Sequence, residues 1–461
     1  MVGAMLVLAL AFGVRDLARS WFFPLQRQQL DFRPIYCAGQ AANAGANPYI
    51  LEPLRTCEHR FATRLLRASP NLAMPFVMPG YDVAPARLLA RLPFSASETL
   101  FTALATLALI ASIVLVVRAL DVPALPATAG LALSAGFTSI PLGQLGTFEL
   151  LAVAAAGWAF ANGRDRLGAI FAAASLLEPH VGAFVVVAAF VLAPRARVAL
   201  VLACVALAVV AVAFSTPREQ LAYLTSYLPG QAFANVRGNE QYSLTYVAAL
   251  LGAPDRLALA LGSLSTLVLL IVAVPVARAC VLRGERAAIA FLPAAFAVIG
   301  GAYIHLTQIA LAVPAALLLV RIARDRKEKV VAGAALVLLA IPWPFPAQTK
   351  QLLLLSLLAA AVVAWYVTAG AIRAVIAIVV VCWAAMFWTE NHLAPADRIP
   401  VLPRYPATTP FAVEVRAWTQ QVAHPTAYGL GLKVPAWCGL LSVLACGVLV
   451  LRRTAAGRRA S

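Results

Sequence analysis

The chain has 461 residues, of which 62% are hydrophobic and 12% charged, and its mean hydropathy is +0.86. Soluble domains usually carry about 25% charged residues, so this chain has too few polar side chains to cover a water-facing surface. The formal net charge is +17, but the basic residues lie in short gaps between apolar runs, without interleaved aromatic residues. That distribution is typical of cytoplasmic loops of membrane proteins and argues against nucleic acid as a partner.

Apolar runs of membrane-spanning length recur along the sequence. A helix needs about 20 apolar residues to cross a hydrocarbon core of about 30 Å. Four runs come close to this length, at residues 100–117, 198–214, 257–276 and 434–451. The predicted fold class is therefore all-α, a polytopic helical bundle in the lipid bilayer with about 13 membrane segments. A single integral membrane domain then covers residues 1–461.

The basic clusters predict the sidedness of the loops because cytoplasmic loops are enriched in Lys and Arg. Residues 1–14 form a first apolar segment that leads outward. Residues 15–97 then form a long outer loop with helices at the membrane surface, and residues 390–431 form a second outer loop.

A broken hairpin is predicted between Arg166 and Arg195. Both basic residues favour the cytoplasm, so an even number of crossings must separate them, yet residues 167–193 are too short for two full spans. Pro179 supplies a break because proline removes a backbone donor and clashes with the preceding turn. Irregular backbone at membrane depth requires protein or a water-filled cavity around it. The turn at residues 178–180 is therefore expected to line such a cavity.

Cysteine usage leaves two alternatives open for the first outer loop. Cys37 and Cys57 share this segment, while the other five of the seven cysteines lie in or beside apolar runs. The two outer cysteines either form a disulfide or remain free thiols. No CxxC spacing occurs, so a zinc site has no support.

Asp31 begins the most informative polar segment, DFRPIYCAGQAANAGANPY (residues 31–49). Asp31 can cap a helix that Pro34 helps to start and Gly45 ends. The small residues of that helix suit close packing on membrane helices. From spacing alone, Asp31 is either an ordinary N-cap or a functional carboxylate.

Several motifs in the same order resemble glycosyltransferase family 87 of the GT-C superfamily. The Asp31 segment, with its aromatic residues, Gly and Asn-Pro-Tyr, is the first of them. The others are MPGYDVAPARLLARLPFSA (residues 78–96), the Gly-Gln turn and hairpin of residues 141–180, NEQYSLTYVAALLG (residues 239–252) and YIHLTQIALAVPAALLL (residues 303–319). The resemblance extends to about residue 324.

The resemblance implies an inverting membrane glycosyltransferase. Such an enzyme would move a sugar, mannose or another hexose or pentose, from a polyprenyl-phosphate donor to a glycolipid or glycan acceptor. It would act at the extracytoplasmic face of a bacterial inner membrane, without a cofactor or metal. The resemblance implies that Asp31 is the catalytic base. The candidate substrate-binding positions are Tyr36, Asn47, Tyr49, Gln144, Glu178, His180, Gln241, Ser243 and His305. Of these, His180 and His305 either bind substrate or serve as hydrogen-bond donors between helices, and Gln144 either contacts sugar hydroxyls or orders a turn.

The chemistry of such a transfer favours a carboxylate at position 31. Phosphate leaves readily, so the difficult step is removal of the acceptor hydroxyl proton as the new bond forms. A carboxylate does this best when its pKa is raised toward the working pH, which partial burial achieves. A single carboxylate acting opposite to the departing group gives inversion, as in inverting glycosidases.

Glu178 departs from the family pattern, which more often has Lys before the hairpin proline, where it would meet the donor phosphate. An acid cannot do that, so other outer cations would be needed, with Arg218, Arg237, Lys350 and Arg404 as candidates. Glu178 would instead pair with His180 or Arg218, or contact sugar hydroxyls.

Two rival functions stay open at this stage. An inactive relative that serves as a scaffold is consistent with Glu178. A transporter or lipid flippase predicts internal repeats and polar residues near the midplane of several helices. The sequence shows neither of these two features, since its polar residues gather near one face.

Overall fold

The computed structural model describes residues 30–61, 69–238, 240–341, 343, 361, 363, 372–393, 402–422 and 426–460. Within these residues the regular structure is helical, and the only strand pairing is two isolated bridges. The all-helical fold class predicted from the sequence is thereby supported. The predicted first segment at residues 1–14 lies outside the described residues.

The first outer segment contributes short helices. They are α1 (Phe32–Asn43), α2 (Leu51–Arg60) and α3 (Val83–Leu89). Nine of the twelve residues of α1 are buried, because the helix packs against α3 and α2. A disulfide joins Cys37 of α1 to Cys57 of α2, so of the two alternatives left open by the sequence, the structure has the bonded one.

The helices of the bundle follow in chain order. They are α4 (Phe94–Leu120), α5 (Ala124–Leu142), α6 (Gly146–Ala161), α7 (Asp165–Ala174), α8 (Pro179–Leu192), α9 (Arg197–Phe214), α10 (Pro217–Ala222), α11 (Leu228–Ala234), α12 (Leu244–Leu250), α13 (Asp255–Val281), α14 (Ala288–Ala297), α15 (Val313–Ile322), α16 (Arg326–Ala340), α17 (Ile372–Leu393), α18 (Phe411–Val422), α19 (Thr426–Gly431) and α20 (Val434–Ala460).

Five of the described helices are long and apolar enough to cross a membrane. They lie at Phe94–Leu120, Ala124–Leu142, Pro194–Phe214, Asp255–Val281 and Val434–Ala456. Four of them contain the apolar runs identified in the sequence. In the most apolar 18-residue stretch of each helix, only 11% is buried within the protein for Pro194–Phe214 and 17% for Asp255–Val281. These two helices, α9 and α13, therefore present most of their apolar surface outward, as lipid-facing helices do. The count of about 13 segments stays a prediction.

The broken hairpin forms where the sequence predicts it. Helix α7 ends at Ala174, a short 3-10 turn covers Ser175–Leu177, and α8 begins at Pro179. Glu178 between them is extended, with φ −119° and ψ 95°. A glycine at 182 permits this tight fold, because a Cβ there would lie 2.3 Å from the carbonyl oxygen of Ser175. The turn therefore holds Glu178 in a break between two helices.

The two segments predicted to be outer loops pack together as one layer, called the outer layer below. Ile50 pairs with Pro410 in an antiparallel bridge, and the Arg55 guanidinium donates to the carbonyl of Tyr405. The Glu414 carboxylate accepts from the backbone amide of Ala73. Helix α17 continues to Leu393, three residues past the predicted start of the second outer loop, and the bounds of that loop stay a prediction.

Candidate active site

Asp31 lies directly before α1 and its backbone amide donates to the carbonyl of Leu142, at 3.0 Å. Its side chain makes no capping hydrogen bond, so the prediction that its carboxylate caps the helix is wrong. Instead the Gln144 Nε2 donates to Asp31 Oδ2 over 2.5 Å. This contact spans 113 residues of sequence and turns the carboxylate away from its own helix toward the α5–α6 turn.

Gln144 owes its position to the turn that ends α5. Gly143 adopts φ 75° there, a left-handed conformation that glycine adopts without a Cβ clash. The amide of Gln144 then donates to the carbonyl of Ser139, at 3.0 Å. The Gln144 side chain is consequently presented between Asp31 and His305, whose Nε2 is 3.4 Å from Gln144 Nε2.

The contacts around His305 fix the orientation of its ring. Its Nε2 faces the Gln144 amide nitrogen, and its Nδ1 accepts from the Thr307 backbone amide at 3.4 Å and lies 3.1 Å from Thr307 Oγ1. The Thr307 hydroxyl donates in turn to Gln144 Oε1. Burial lowers the pKa of His305 to about 4, so the imidazole is neutral near pH 7.

An antiparallel bridge between Gln241 and His305 joins two distant segments at the site. The amide of Tyr242 donates to the carbonyl of Ile304, at 2.8 Å. The Gln241 Oε1 accepts from the amide of Ile304 at 3.2 Å and lies 3.4 Å from Ser243 Oγ. Gln241 and Ser243 thus stabilise the backbone that carries His305.

Glu178 and His180 join this network from the broken hairpin through Gln308. The Gln308 Nε2 donates to Glu178 Oε2 and lies 2.7 Å from His180 Nε2. The Gln308 Oε1 accepts from the amide of His305, at 2.8 Å. Glu178 and Asp31 are therefore connected by side-chain and backbone contacts through His305.

Burial sets the electrostatics of Asp31. Removal of the carboxylate from water raises its pKa to about 6, although the Gln144 hydrogen bond opposes this and Glu240 adds to it. The Arg33 guanidinium has a smaller, opposing effect. Such a carboxylate is ionised near neutral pH and still basic enough to accept a proton.

Seven of the ten positions singled out in the sequence converge in this network. They are Asp31, Gln144, Glu178, His180, Gln241, Ser243 and His305. Their connection comes from the contacts described above, and their roles toward a substrate stay predictions.

The other three positions have partners elsewhere. The Tyr36 hydroxyl donates to the carbonyl of Leu92, at 2.9 Å. The Asn47 side chain accepts from the amide of Tyr49, at 2.8 Å. The Tyr49 hydroxyl donates to the carbonyl of Met78, at 3.1 Å, and its residue is 2% exposed. These contacts stabilise the outer layer, and nothing in them connects the three residues to the Asp31 network.

Sequence reasoning missed three side chains of the site. Thr307 and Gln308 follow His305 as the only other polar residues of an apolar run, and that spacing was the available signal. Lys433 lies just before α20; its Nζ donates to the carbonyl of Gln241 at 2.5 Å and is 3.6 Å from the Tyr246 ring centre. Its charge is within electrostatic range of His305.

The outer cations proposed from the sequence have other environments. Arg237 forms an ion pair with Asp255, at 3.1 Å. Arg218 and Arg404 are exposed, and Lys350 lies outside the described residues. In the part of the chain that the structure describes, no three His, Cys, Asp or Glu side chains are grouped so as to hold a metal ion.

Comparison with known proteins gives one match. The model of glycosyltransferase family 87 matches residues 83–300, a range that contains Gln144, the broken hairpin and Gln241. No curated protein and no solved structure matches the chain.

Proposed function

We propose, from the match to glycosyltransferase family 87 over residues 83–300, that the chain is a membrane glycosyltransferase that transfers a hexose or pentose from a polyprenyl-phosphate donor. The acceptor is a lipid or glycan on the extracytoplasmic side, and the reaction inverts the anomeric configuration. The observation that carries this proposal is the hydrogen bond by which Gln144 holds the Asp31 carboxylate beside His305.

Asp31 acts as the general base in this proposal. The acceptor oxygen attacks the anomeric carbon while the bond from that carbon to the phosphate oxygen breaks, and the phosphate leaves with the electron pair. The acceptor hydroxyl proton passes to the Asp31 carboxylate. Oδ2 already accepts from Gln144, so the proton is expected to go to Oδ1.

The leaving phosphate requires positive charge or hydrogen-bond donors, because negative charge develops on it. Glu178 cannot supply either in its ionised form. Burial lowers the pKa of Lys433 well below its usual value, and a phosphate beside the amine would favour its protonated form. Lys433 lies within electrostatic range of His305, and it is the residue that we assign to this task. This assignment replaces the lysine that the family more often has before the hairpin proline.

The disulfide supports an outer location for this chemistry. Disulfides persist in oxidising compartments and are rare in a reducing cytosol. The Cys37–Cys57 bond lies in α1 and α2, the same layer that begins with Asp31. The basic residues beside the first turns of α7 and α9 indicate that the opposite side of the membrane is the cytoplasmic one.

We expect single cysteines to report this sidedness in intact bacterial cells lacking an outer-membrane barrier. Ala44 is exposed in the outer layer, and Arg195 is exposed at the start of α9. A membrane-impermeant maleimide is expected to label Ala44→Cys in intact cells and Arg195→Cys only after permeabilisation. The unsubstituted chain, with its own exposed Cys438, provides the background. The reverse pattern would contradict the proposed orientation.

Direct turnover tests the function itself. Purified protein in lipid vesicles is expected to release polyprenyl phosphate from synthetic polyprenyl-phosphate sugars when extracts of membrane glycolipids are supplied. Nuclear magnetic resonance of the product is expected to show the anomeric configuration inverted. Retention of the anomeric configuration would contradict the single-base mechanism. Translocation of lipid without cleavage of the sugar–phosphate bond would indicate a transporter or lipid flippase instead.

A further inference from the structure

Three buried carboxyl groups gather beside the broken hairpin. Glu178 occupies the break itself, and Glu149 lies in the first turn of α6. Asp82 ends a 3-10 turn, Gly80–Asp82, that is tied to the hairpin because the Tyr81 hydroxyl donates to the carbonyl of Leu176. Glu149 and Asp82 each lie within electrostatic range of Glu178.

These groups have few partners inside the protein. Glu149 is fully buried and neither of its carboxyl oxygens has a hydrogen-bond partner. Asp82 is 6% exposed, and its Oδ2 is also without a partner. Glu178 accepts from Gln308. Among the described residues, no Lys or Arg forms an ion pair with any of the three.

His180 does not supply the missing positive charge. Its Nε2 lies 3.9 Å from Glu178 Oε2, but it is closer to Gln308 Nε2, at 2.7 Å. Gln308 Nε2 only donates, so the imidazole nitrogen that faces it accepts and carries no proton. The imidazole is therefore neutral, and the three carboxyl groups have no cation beside them among the described residues.

Buried polar groups without partners destabilise a fold, and burial beside Glu178 raises the pKa of Asp82 well above its usual value, so ionisation within the cluster has a cost of its own. A cation that enters the cluster lowers both costs, and an ammonium carries three hydrogens that match several carboxyl oxygens. The exposed edge of the cluster is the hairpin turn, where the side chains of Glu178 and His180 are 12% and 32% exposed. Glu178 is connected to Asp31 through Gln308, His305 and Gln144.

We propose that Glu178, Asp82 and Glu149 form a specificity site for the ammonium group of an amino sugar. This rests on the proposed glycosyl transfer at Asp31 and names the substrate class for it. The amine is carried either by the transferred sugar or by the acceptor sugar.

The test compares matched substrates that differ only in the amine. The donor arm uses polyprenyl-phosphate hexoses with a free amine at carbon 2, 3, 4 or 6, each beside its N-acetylated and hydroxyl counterparts, with a neutral acceptor. The acceptor arm uses octyl aminohexosides and their N-acetylated counterparts with a neutral donor. We expect kcat/KM for the free amine to exceed that of its neutral counterpart by about 10- to 100-fold in one arm, since truncation of a buried charge pair has effects of at least this size.

Isosteric variants identify the residues responsible. Glu178→Gln retains an oxygen for Gln308 and removes the charge, so the ratio of amine to neutral kcat/KM is expected to fall about tenfold or more. Asp82→Asn provides a second variant with the same expectation. Asp121→Asn, an exposed carboxylate with positive φ that asparagine tolerates, is the matched control and should leave the ratio unchanged.

The outcomes separate this inference from the transfer reaction. Turnover of neutral sugars with no preference for any amine in either arm overturns the amino-sugar site and leaves the transferase proposal intact. An amine preference that survives both variants also overturns the site. Turnover of no polyprenyl-phosphate sugar removes the proposed function, and the amino-sugar site falls with it.

Discussion

Asp31→Asn is expected to reduce sugar transfer by about 10²- to 10⁴-fold, the range that a positioned general base contributes. Asparagine keeps an oxygen that can accept from Gln144 and keeps the size of the side chain, so the network around His305 should persist. The measurement is the initial rate of polyprenyl phosphate release by purified protein in vesicles. Asp121→Asn, which removes a carboxylate far from the site, serves as the matched control.

The pH dependence of the wild type provides an independent check on the same residue. The base must be ionised, and burial raises the pKa of Asp31 to about 6. Activity is therefore expected to be constant above this pH and to fall as the pH decreases through about 6. A rate that stays constant to well below the usual pKa of a carboxylate would contradict the assignment.

Stability separates a catalytic role of Asp31 from a structural one. A buried carboxyl whose pKa is raised by the fold costs stability when it is ionised, so this cost is present above the folded-state pKa and is absent at acidic pH. Asp31→Asn removes the cost at pH 8. The apparent melting temperature of the variant in detergent should therefore equal or exceed that of the wild type at this pH. A large decrease would show that Asp31 holds the fold.

The sequence predicted the elements of this fold well where apolar pattern and backbone chemistry agree. Runs of apolar residues identified four of the spanning helices, because lipid imposes both their length and their composition. The hairpin followed from the spacing of Arg166 and Arg195 and from the helix-breaking property of Pro179. These are local constraints, and each can be read without knowledge of the tertiary structure.

The connections within the site could not be predicted in the same way. Gln308 meets Glu178 across 130 residues and Lys433 meets Gln241 across 192, so their proximity depends on how the helices pack. An apolar run does not show which of its few polar side chains faces a neighbouring helix. Asp31 illustrates the limit, because its spacing indicated an N-cap while tertiary contacts with Gln144 direct its carboxylate elsewhere.

Gln144→Leu is expected to shift the acidic limb of the pH profile upward by about 1–2 units. Its amide donates to the Asp31 carboxylate over 2.5 Å and so favours the ionised form. A hydrogen bond to a charged group contributes about 1.5–3 kcal/mol, and about 1.4 kcal/mol corresponds to one pH unit. The other charged or titratable groups around Asp31 include Glu240, Arg33, Glu58, Tyr303 and His305, and the substitution leaves all five in place.

The direction of this shift distinguishes a positioning role from general damage to the site. Loss of the Gln144 donor raises the pKa of Asp31 further, so the variant should lose activity at a higher pH than the wild type and recover most of it at alkaline pH. A misfolded site would instead lower the rate equally at every pH. Gln40→Leu is the matched control, because Gln40 lies in the same outer layer and contacts the Tyr36 hydroxyl rather than Asp31. If the acidic limb of the pH profile is not shifted in Gln144→Leu, the Gln144 amide does not lower the pKa of Asp31. The raised pKa of Asp31 would then follow from its burial without an opposing effect of Gln144.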